Sequence, residues 1–550
     1  MKNILKYFSI MVLLAVCGCE LTNLDHLDDP NGVSPENAEN RFVFYAVQTD
    51  FAAFFNTVTF NATRPVRHLA MSGGNIYNNA FAATDFNFAW NTAYSDLLPD
   101  MDALIAVTSA EGSEFPALSG ATKVLKSYVM MTLVDLFGNV PYSQAGQGVV
   151  EKSPAADDQK AIYDAALAIL DDAIKDLGTP GPTIDPDDDL YYGGDVAKWT
   201  ALAQTLKIRW HLNTRLVGGS ATEINNLIAS AISSADGDFQ AQYGTNRVEP
   251  DARHPWYSDH YEVTGGIYLS NYFMWSLKTE KGIEDPRLRY YFYRQDAHPE
   301  LADAFTLDCI TTPRPIHYTG PYPFCVEFNG GYWGRDHGDN AGIPPDGDRR
   351  TCFGLYPCGG KFDSDEGEAG IAGVKNLGKD GALGQGINPI MMSSFVQFML
   401  AEASLTMGVT GDPRVYLEEG IRQSIEKVMS FGDLDGGADA SLFPSDSTID
   451  VYVNTVLDLY DAAGTDDERL DVIMKEYHIA AWGNGIEPYN FYRRTGKPTG
   501  MQPSREPNPG DFPRLMFYPA DYVNLNATAD QRQITDQVFW DTNPPGIYDF

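Results

Sequence analysis

Six cysteines are the side chains with the most chemistry in reach, and their positions divide them into two groups. Cys17 and Cys19 flank one glycine in "LLAVCGCELT"; Cys309, Cys325, Cys352 and Cys358 stand together past the middle of the chain. A C-x-C pair suits redox or metal chemistry, but no further ligand stands near Cys17 and Cys19 at a workable spacing. What precedes them is a processing pattern. Lys2 and Lys6 form a basic start, and Tyr7 to Val16 is an apolar run of ten residues, where a bilayer span needs roughly 20. Small residues then lead into a cysteine, as in a bacterial lipobox. Cleavage before Cys19 puts Gly18 in the preceding position, whereas cleavage before Cys17 puts Val16 there, a poor fit. The expectation is a lipoprotein signal peptide over 1–18, a lipid-modified Cys19 and a polar linker over 19–40. Several acyl chains on one cysteine make a strong tether, at about 0.8 kcal/mol per buried methylene.

The other four cysteines form an even set in a chain expected to be exported, which points to disulfides; four cysteines allow three connectivities. Cys309–Cys325 and Cys352–Cys358 close short loops and are the favoured pairs, each stabilising by roughly 2–4 kcal/mol. A zinc site built from all four is the poorer reading, given the uneven spacing. Catalytic patterns are lacking in the sequence. There is no H-E-x-x-H, no G-x-S-x-G and no G-x-x-x-x-G-K-[ST]. Paired carboxylates could hydrolyse a glycosidic bond, yet nothing singles out a pair among 75 acidic residues. The formal net charge of −36 repels a phosphate backbone and disfavours nucleic acid as a partner. Oxygen clusters on Gly-bent loops at 185–195, 335–348 and 433–439 have the ligand type calcium needs. None has EF-hand spacing, and a solvated acidic loop is the plainer reading.

The elements that must position any site read as helices. Apolar spacing of three and four marks 39–58, 116–138, 161–178, 195–217 and 223–234. After a long gap it resumes at 388–408, 413–432 and 467–485. Tyr163, Ala166, Leu167, Leu170, Ile174 and Leu177 make one stripe, and Trp199, Leu202, Leu206 and Trp210 another. Asp195 and Lys198 read as a cap and brace for the latter helix. Residues 240–385 are different: rich in Gly, Pro, Tyr and Asp and almost without helical periodicity. The fold class expected is mostly α, with tetratricopeptide-like helix pairs as scaffold (41–238 and 386–500) and a loop-rich insertion over 240–385.

Several stretches, in order, resemble the SusD/RagB family of outer-membrane nutrient-binding lipoproteins. "ATKVLKSYVMMTLVDLFGNVPYSQA" resembles the family helix that ends in a Phe-Gly-x-Val-Pro-Tyr turn, here Phe137, Gly138, Val140, Pro141 and Tyr142. "YYGGDVAKWTALAQTLKIRWHLNTR" is similar to its Gly-Asp-x-x-Lys-Trp helix, here Gly194, Asp195, Lys198, Trp199 and Arg209. "YDAALAILDDAIKDL", "EDPRLRYYF", "FMLAEASLTMG", "NFYRRTGKP" and "YPADYVNLN" have counterparts there too. The resemblance implies a helical scaffold with a loop-rich ligand face, no catalysis and no cofactor. It also implies that the protein caps a SusC-like TonB-dependent outer-membrane barrel and hands it oligosaccharides or, in some branches, peptides. The expected place is the outer membrane, lipid-anchored and facing the exterior.

A sugar offers flat C–H faces and a rim of hydroxyls, so exposed aromatic rings flanked by amides, carboxylates or Arg are the residues to look for. "GGNIYNNAFAATDFNFAW" provides Asn75, Tyr77, Asn78, Asn79, Phe81 and Phe86. "ARHPWYSDHYE" provides Trp256, Tyr257 and His260, and "GGYWGRDHGDN" provides Tyr332, Trp333, Arg335, Asp336 and Asp339. Ordinary loop packing is the competing reading of each. Trp90 and Tyr94, four apart, are expected to face the core.

Overall fold

The computed structural model describes residues 39–72, 76–147, 150–262, 266–297, 313–324, 330–339, 350–367 and 378–544. Its scaffold consists of α1 (Asn40–Thr63), α2 (Leu98–Thr108), α3 (Pro116–Phe137), α4 (Gln159–Leu177), α5 (Val196–Asn213), α6 (Ser393–Met407), α7 (Pro413–Met429), α8 (Asp446–Ala462), α9 (Asp466–Ala480) and α10 (Ile486–Thr495). The first backbone N–H groups of a helix lack partners, and short polar side chains supply them. Asp158 caps α4 through Ala161, and Asp195 caps α5 through Ala197 and Lys198. Thr465 and Glu468 form a capping box at the start of α9. Gly138 ends α3 with φ +65°, and a side chain there would meet Arg532 Nη1 at 2.8 Å. Lys198 braces α5 as expected, through an ion pair with Asp236 at 2.8 Å.

Neighbouring helices run antiparallel. Gly120 of α3 lets Leu177 of α4 approach to within contact of its Cα, while Ser127, two turns on, reaches the Ala166 carbonyl at 2.9 Å. Lys207 on α5 pairs with Asp171 on α4, and Trp210 Nε1 donates to the Tyr163 carbonyl at 3.0 Å. Gly420 of α7 receives the Phe398 ring of α6 in the same way. One continuous hydrophobic core runs from Phe44 to Trp540. Trp199, Trp210, Tyr128 and Tyr163 lie in it, as their periodic spacing requires. Trp90 is buried and packs 4.6 Å from Tyr94.

Strands are short and antiparallel: β1 (Val140–Pro141) with β2 (Ala156–Asp157), β3 (Phe239–Gln242) with β6 (Ile387–Met391), and β4 (Phe292–Tyr293) with β5 (Cys352–Phe353). The helix expected from 388 begins only at Ser393, because the preceding residues are spent on β6. Pro389 has no N–H to give a helix but takes its place opposite Gln240. The helix expected over 467–485 stops at Ala480. A turn follows, and Asn484 Oδ1 accepts from Ile486 and Glu487 to open α10. The stretch around Tyr77 contains the short helices Tyr77–Ala80 and Ala83–Phe86, and Asn87–Asn91 follows directly.

Buried ions tie distant parts together. Asp135 on α3 accepts from Arg209 Nη2 at 3.0 Å, Asn490 Nδ2 at 2.8 Å and Trp540 Nε1 at 3.1 Å. Glu487 takes the other side of the Arg209 guanidinium, at 2.6 Å. A second knot links Arg287 to Asp285, Ser424, Tyr452 and Glu476. Such ions are costly to bury unless they are paired and hydrogen-bonded, as these are. No helix among the described residues is long and apolar enough to cross a membrane.

Candidate ligand-binding cleft

Tyr77 stands at the start of its short helix and is fixed from three directions. Its N–H donates to the Pro509 carbonyl at 2.8 Å. Its hydroxyl accepts from Arg67 Nη2 at 3.2 Å and bonds His337 Nε2 at 3.2 Å. Arg67 holds a left-handed backbone, φ +63°, which costs energy for a residue with a side chain and survives only where surroundings enforce it. Its side chain, fully buried, also donates to the Gln502 carbonyl at 3.0 Å. Gln502 bonds in turn to His337 N, Asp336 Oδ1 and the Pro323 carbonyl. Burial holds His337 well below the ordinary imidazole range, and the Arg67 charge pushes the same way. The imidazole is therefore neutral behind Tyr77.

This buried network supports the floor of a cleft of about 480 Å³, within the roughly 300–1,000 Å³ usual for ligand pockets. Tyr77, His317 and residues 503–504 and 506–512 line it, with Ser504, Glu506, Asn508 and Asp511 as polar groups and Pro503, Pro507, Pro509 and Phe512 as apolar ones. His317 is oriented by a 2.8 Å bond to the Ser504 carbonyl, and Tyr318 donates to the Pro503 carbonyl at 3.1 Å. Phe512 packs edge-on to Tyr77 at 6.3 Å. Prolines set the loop's φ angles, so the wall is stiff.

The structure brings few of the residues expected to bind ligand to this cleft. Tyr77 lines it, and Asn78 and Asn79, which follow directly, are exposed. Asn75 lies outside the described residues. Tyr77 itself is buried, 1% exposed, and the remaining rings likewise correct the expectation of open aromatic platforms. Phe81 and Phe86 are fully buried, the latter 5.6 Å from Phe137. Trp256 is buried, stacked on Phe353 at 5.3 Å. Tyr257 stacks on Tyr261 at 4.7 Å and donates to the Asp380 carbonyl. His260 is fully buried. Tyr332 lies buried beneath Lys278 and Arg294, and Trp333 is buried beside Thr351. Arg335 lies buried over Tyr268 and pairs with Asp339; Asp336 serves Gln502. A chain segment with little periodicity still builds a core, and these rings are what it has to build with.

The Cys352–Cys358 half of the favoured disulfide pairing is corrected as well. Cys352 and Cys358 are buried free thiols, whose Sγ atoms face the Arg350 and Gly354 carbonyls. Burial pushes both thiols up to about 12. Cys309, Cys325 and Cys19 lie outside the described residues. Among the described residues no group of His, Cys, Asp and Glu side chains is placed to hold a metal ion. In the acidic loops that suggested calcium, Asp189 instead accepts from Trp199 Nε1 and Gly194 N, and Asp435 from Phe362 N and Gly437 N.

Sequence reasoning passed over two features. The 503–512 wall was readable as turn chemistry, though nothing in "PSREPNPGDF" names a ligand. Phe88, 59% exposed, is the solvent-facing ring of the aromatic loop. Its signal was phase: Phe86, Ala89, Trp90, Ala93 and Leu97 form one buried face, and Phe88 falls off it.

A helical-pair scaffold thus presents a loop-built, proline-walled cleft. Residues 53–304 match the family model described as "SusD-like_2: Starch-binding associating with outer membrane". Residues 385–537 match "SusD-like: Susd and RagB outer membrane lipoprotein". The chain belongs to the SusD/RagB family of outer-membrane lipoproteins. Among solved structures it is similar to a SusD/RagB family protein from Bacteroides thetaiotaomicron, at 20% identity and a TM-score of 0.65 over 92% of this chain and 100% of that one. It is also similar to a chitin-binding SusD homologue from Flavobacterium johnsoniae, at 19% identity and a TM-score of 0.61 over 91% and 99%. A protein described as chitin-binding matches with a TM-score of 0.65 and 20% identity over 92% and 100%. No curated protein matches the chain.

Proposed function

We propose that the protein captures oligosaccharides at the cell surface and passes them to a SusC-like, TonB-dependent outer-membrane barrel. Tyr77 and the 503–512 wall hold the sugar, with Asn78 and Asn79 at the rim. Membership of a family described as starch-binding and outer-membrane carries this reading, and the chitin-binding relatives of the same fold support it. The stiff cleft beside Tyr77 supplies a site of suitable size. Cys19 is the lipid anchor after removal of residues 1–18, residues 19–40 are the tether, and the anchored protein faces the exterior. The protein binds without cleaving.

Isothermal titration of the purified mature chain against a panel of neutral oligosaccharides tests this, with a peptide panel alongside. Binding of a glycan that Tyr77→Ala weakens by tenfold or more is expected, with no shortened product afterwards. Peptide binding without glycan binding would replace the reading with a peptide-importer lid. Release of shortened sugars would replace it with a hydrolase. Palmitate labelling that survives Cys19→Ala would move the anchor to Cys17.

A further inference from the structure

One buried side chain joins both sides of the cleft. Arg67 stands in the turn after α1 and is fully buried. Its Nη2 donates to the Tyr77 hydroxyl at 3.2 Å, and its Nε donates to the Gln502 carbonyl at 3.0 Å. Tyr77 lines the cleft, and Gln502 is the residue from which the 503–512 wall departs. His337 joins the same two sides a second time. Its Nε2 bonds the Tyr77 hydroxyl at 3.2 Å, its N–H donates to Gln502 Oε1 at 3.0 Å, and its carbonyl accepts from Arg505 N at 2.7 Å. Toward the other end of the wall, the Pro509 carbonyl accepts the Tyr77 N–H at 2.8 Å. A ring of contacts therefore runs from Arg67 to Tyr77, across to Pro509, down the wall to Gln502 and back to Arg67. Two features fit Arg67 to close that ring. Its guanidinium presents several donors in one rigid fork, so it meets both acceptors at once, which the single ammonium of a lysine is not shaped to do. Its backbone holds φ +63°, a costly conformation for a residue with a side chain, and such outliers persist where the surroundings enforce them. The Tyr77 hydroxyl, engaged by Arg67 and His337, which are both fully buried, serves this framework and not the ligand.

On the oligosaccharide reading above, we infer that Arg67 is a positioning residue for ligand binding: it fixes Tyr77 against the base of the 503–512 wall and so sets affinity without meeting the ligand. A cleft already held in its binding shape gives up less freedom when the ligand arrives, and affinity rises accordingly. Arg67 acts through the Tyr77 hydroxyl on one side and the Gln502 carbonyl on the other.

The test uses the mature protein, the variants Arg67→Lys and Tyr77→Phe, and the two combined. Arg67→Lys keeps the charge and removes the fork; Tyr77→Phe keeps the ring and removes only the hydroxyl. Titration calorimetry measures affinity for glucose, N-acetylglucosamine and xylose oligomers, with folding confirmed by circular dichroism. For an oligomer that the unaltered protein binds, each single variant should weaken binding roughly tenfold, the order that a hydrogen bond to a charged group supplies. The combined variant should be no weaker than the worse single one, because both changes break the same link. Hydrogen exchange gives a readout that needs no ligand. The segments around Tyr77 and Arg505, whose N–H groups hold Pro509 and His337, should exchange roughly tenfold faster in each single variant while α3 keeps its native rates. A merely structural role predicts the opposite division: a lower melting temperature with affinity unchanged in the folded variants, and that result overturns the inference. Losses that add in the combined variant overturn the link between Arg67 and Tyr77. Where Arg67→Lys does not fold, Tyr77→Phe decides alone, and unchanged affinity with unchanged exchange overturns the inference. Failure of every oligomer to bind the unaltered protein overturns the oligosaccharide reading, and the exchange rates then decide whether Arg67 holds the two sides together.

Discussion

Acid should unfold this protein through its buried histidines. His68, His254, His260, His337 and His478 are all buried in the core. Burial, the largest cause in each case, pulls His68, His254 and His260 down to about 3 and His337 and His478 well below the ordinary imidazole range. The hydrogen bonds demand the neutral ring. His254 Nδ1 accepts the Trp256 N–H at 3.1 Å while Nε2 faces Asn388 Oδ1 at 3.1 Å. His260 Nδ1 accepts the Phe353 N–H at 2.8 Å while Nε2 faces the Ile267 carbonyl. A proton on Nδ1 would set donor against donor. In the unfolded chain each ring takes a proton near pH 6.5. The unfolded state thus binds protons that the folded state refuses, so stability is complete above about pH 6.5 and falls as pH drops toward 3. Each ring contributes about 1.4 kcal/mol per pH unit over that window. At pH 5 the loss is about 2 kcal/mol for each ring, or about 6 kcal/mol for His68, His254 and His260 together. Asp238 and Asp259, whose carboxyls burial raises, oppose part of this because they gain protons in the folded state. The remainder is comparable with the roughly 5–15 kcal/mol that keeps a domain folded. Urea unfolding followed by circular dichroism from pH 7.5 to pH 4.5 measures it. The midpoint should fall steeply below pH 6, and His254→Gln should shallow the slope by about one proton. A flat stability profile between pH 7 and pH 5 would refute the reasoning.

Asp135→Ala should destabilise by about 3–5 kcal/mol, because it strips one partner from a buried guanidinium and leaves Asn490 and Trp540 without an acceptor; chemical denaturation reads the loss. Gly138→Ala should lower the melting temperature by several degrees, since φ +65° and the 2.8 Å approach of Arg532 both resist a Cβ. Cys352 and Cys358 should resist thiol reagents in the folded protein and react once it is denatured, with peptide mass spectrometry assigning the labels; rapid labelling of the native chain would contradict their burial.

The helical scaffold was legible because its signals are local. Asp195 before a Trp199–Leu202–Leu206 stripe states both where the helix starts and which face it buries. The loop-rich half has no such grammar. Trp256, Tyr257, Tyr332 and Trp333 sit among Gly, Pro and Asp, which reads as exposed surface, yet their rings are buried among the short helices Tyr257–Tyr261, Asn271–Lys278 and Leu288–Tyr291 and the loops between them. Which way Trp256 turns depends on Phe353 and Trp482, about 100 and 230 residues away, and no spacing rule encodes those. Tyr77 was found and the wall opposite it was not, because Tyr77 is an aromatic in an amide-rich loop whereas 503–512 is ordinary turn sequence. The thiols misled for a related reason: sequence distance between Cys352 and Cys358 is short, but each Sγ faces a carbonyl instead of the other sulfur.

The ion knot at Asp135 also sets the order in which the chain can finish folding. Its members come from positions 135, 209, 487, 490 and 540, and the Trp540 bond spans 405 residues. A chain emerging from its N-terminus has α3, α4 and α5 in hand long before Asn490 and Trp540 exist to satisfy the buried carboxylate. Closing such distant contacts late makes folding slow, and until then Asp135 has Arg209 of α5 as a partner but lacks the Asn490 and Trp540 donors. The Asp135 network thus joins the N-terminal helices to the segment around Trp540, so it is complete only when both are in place.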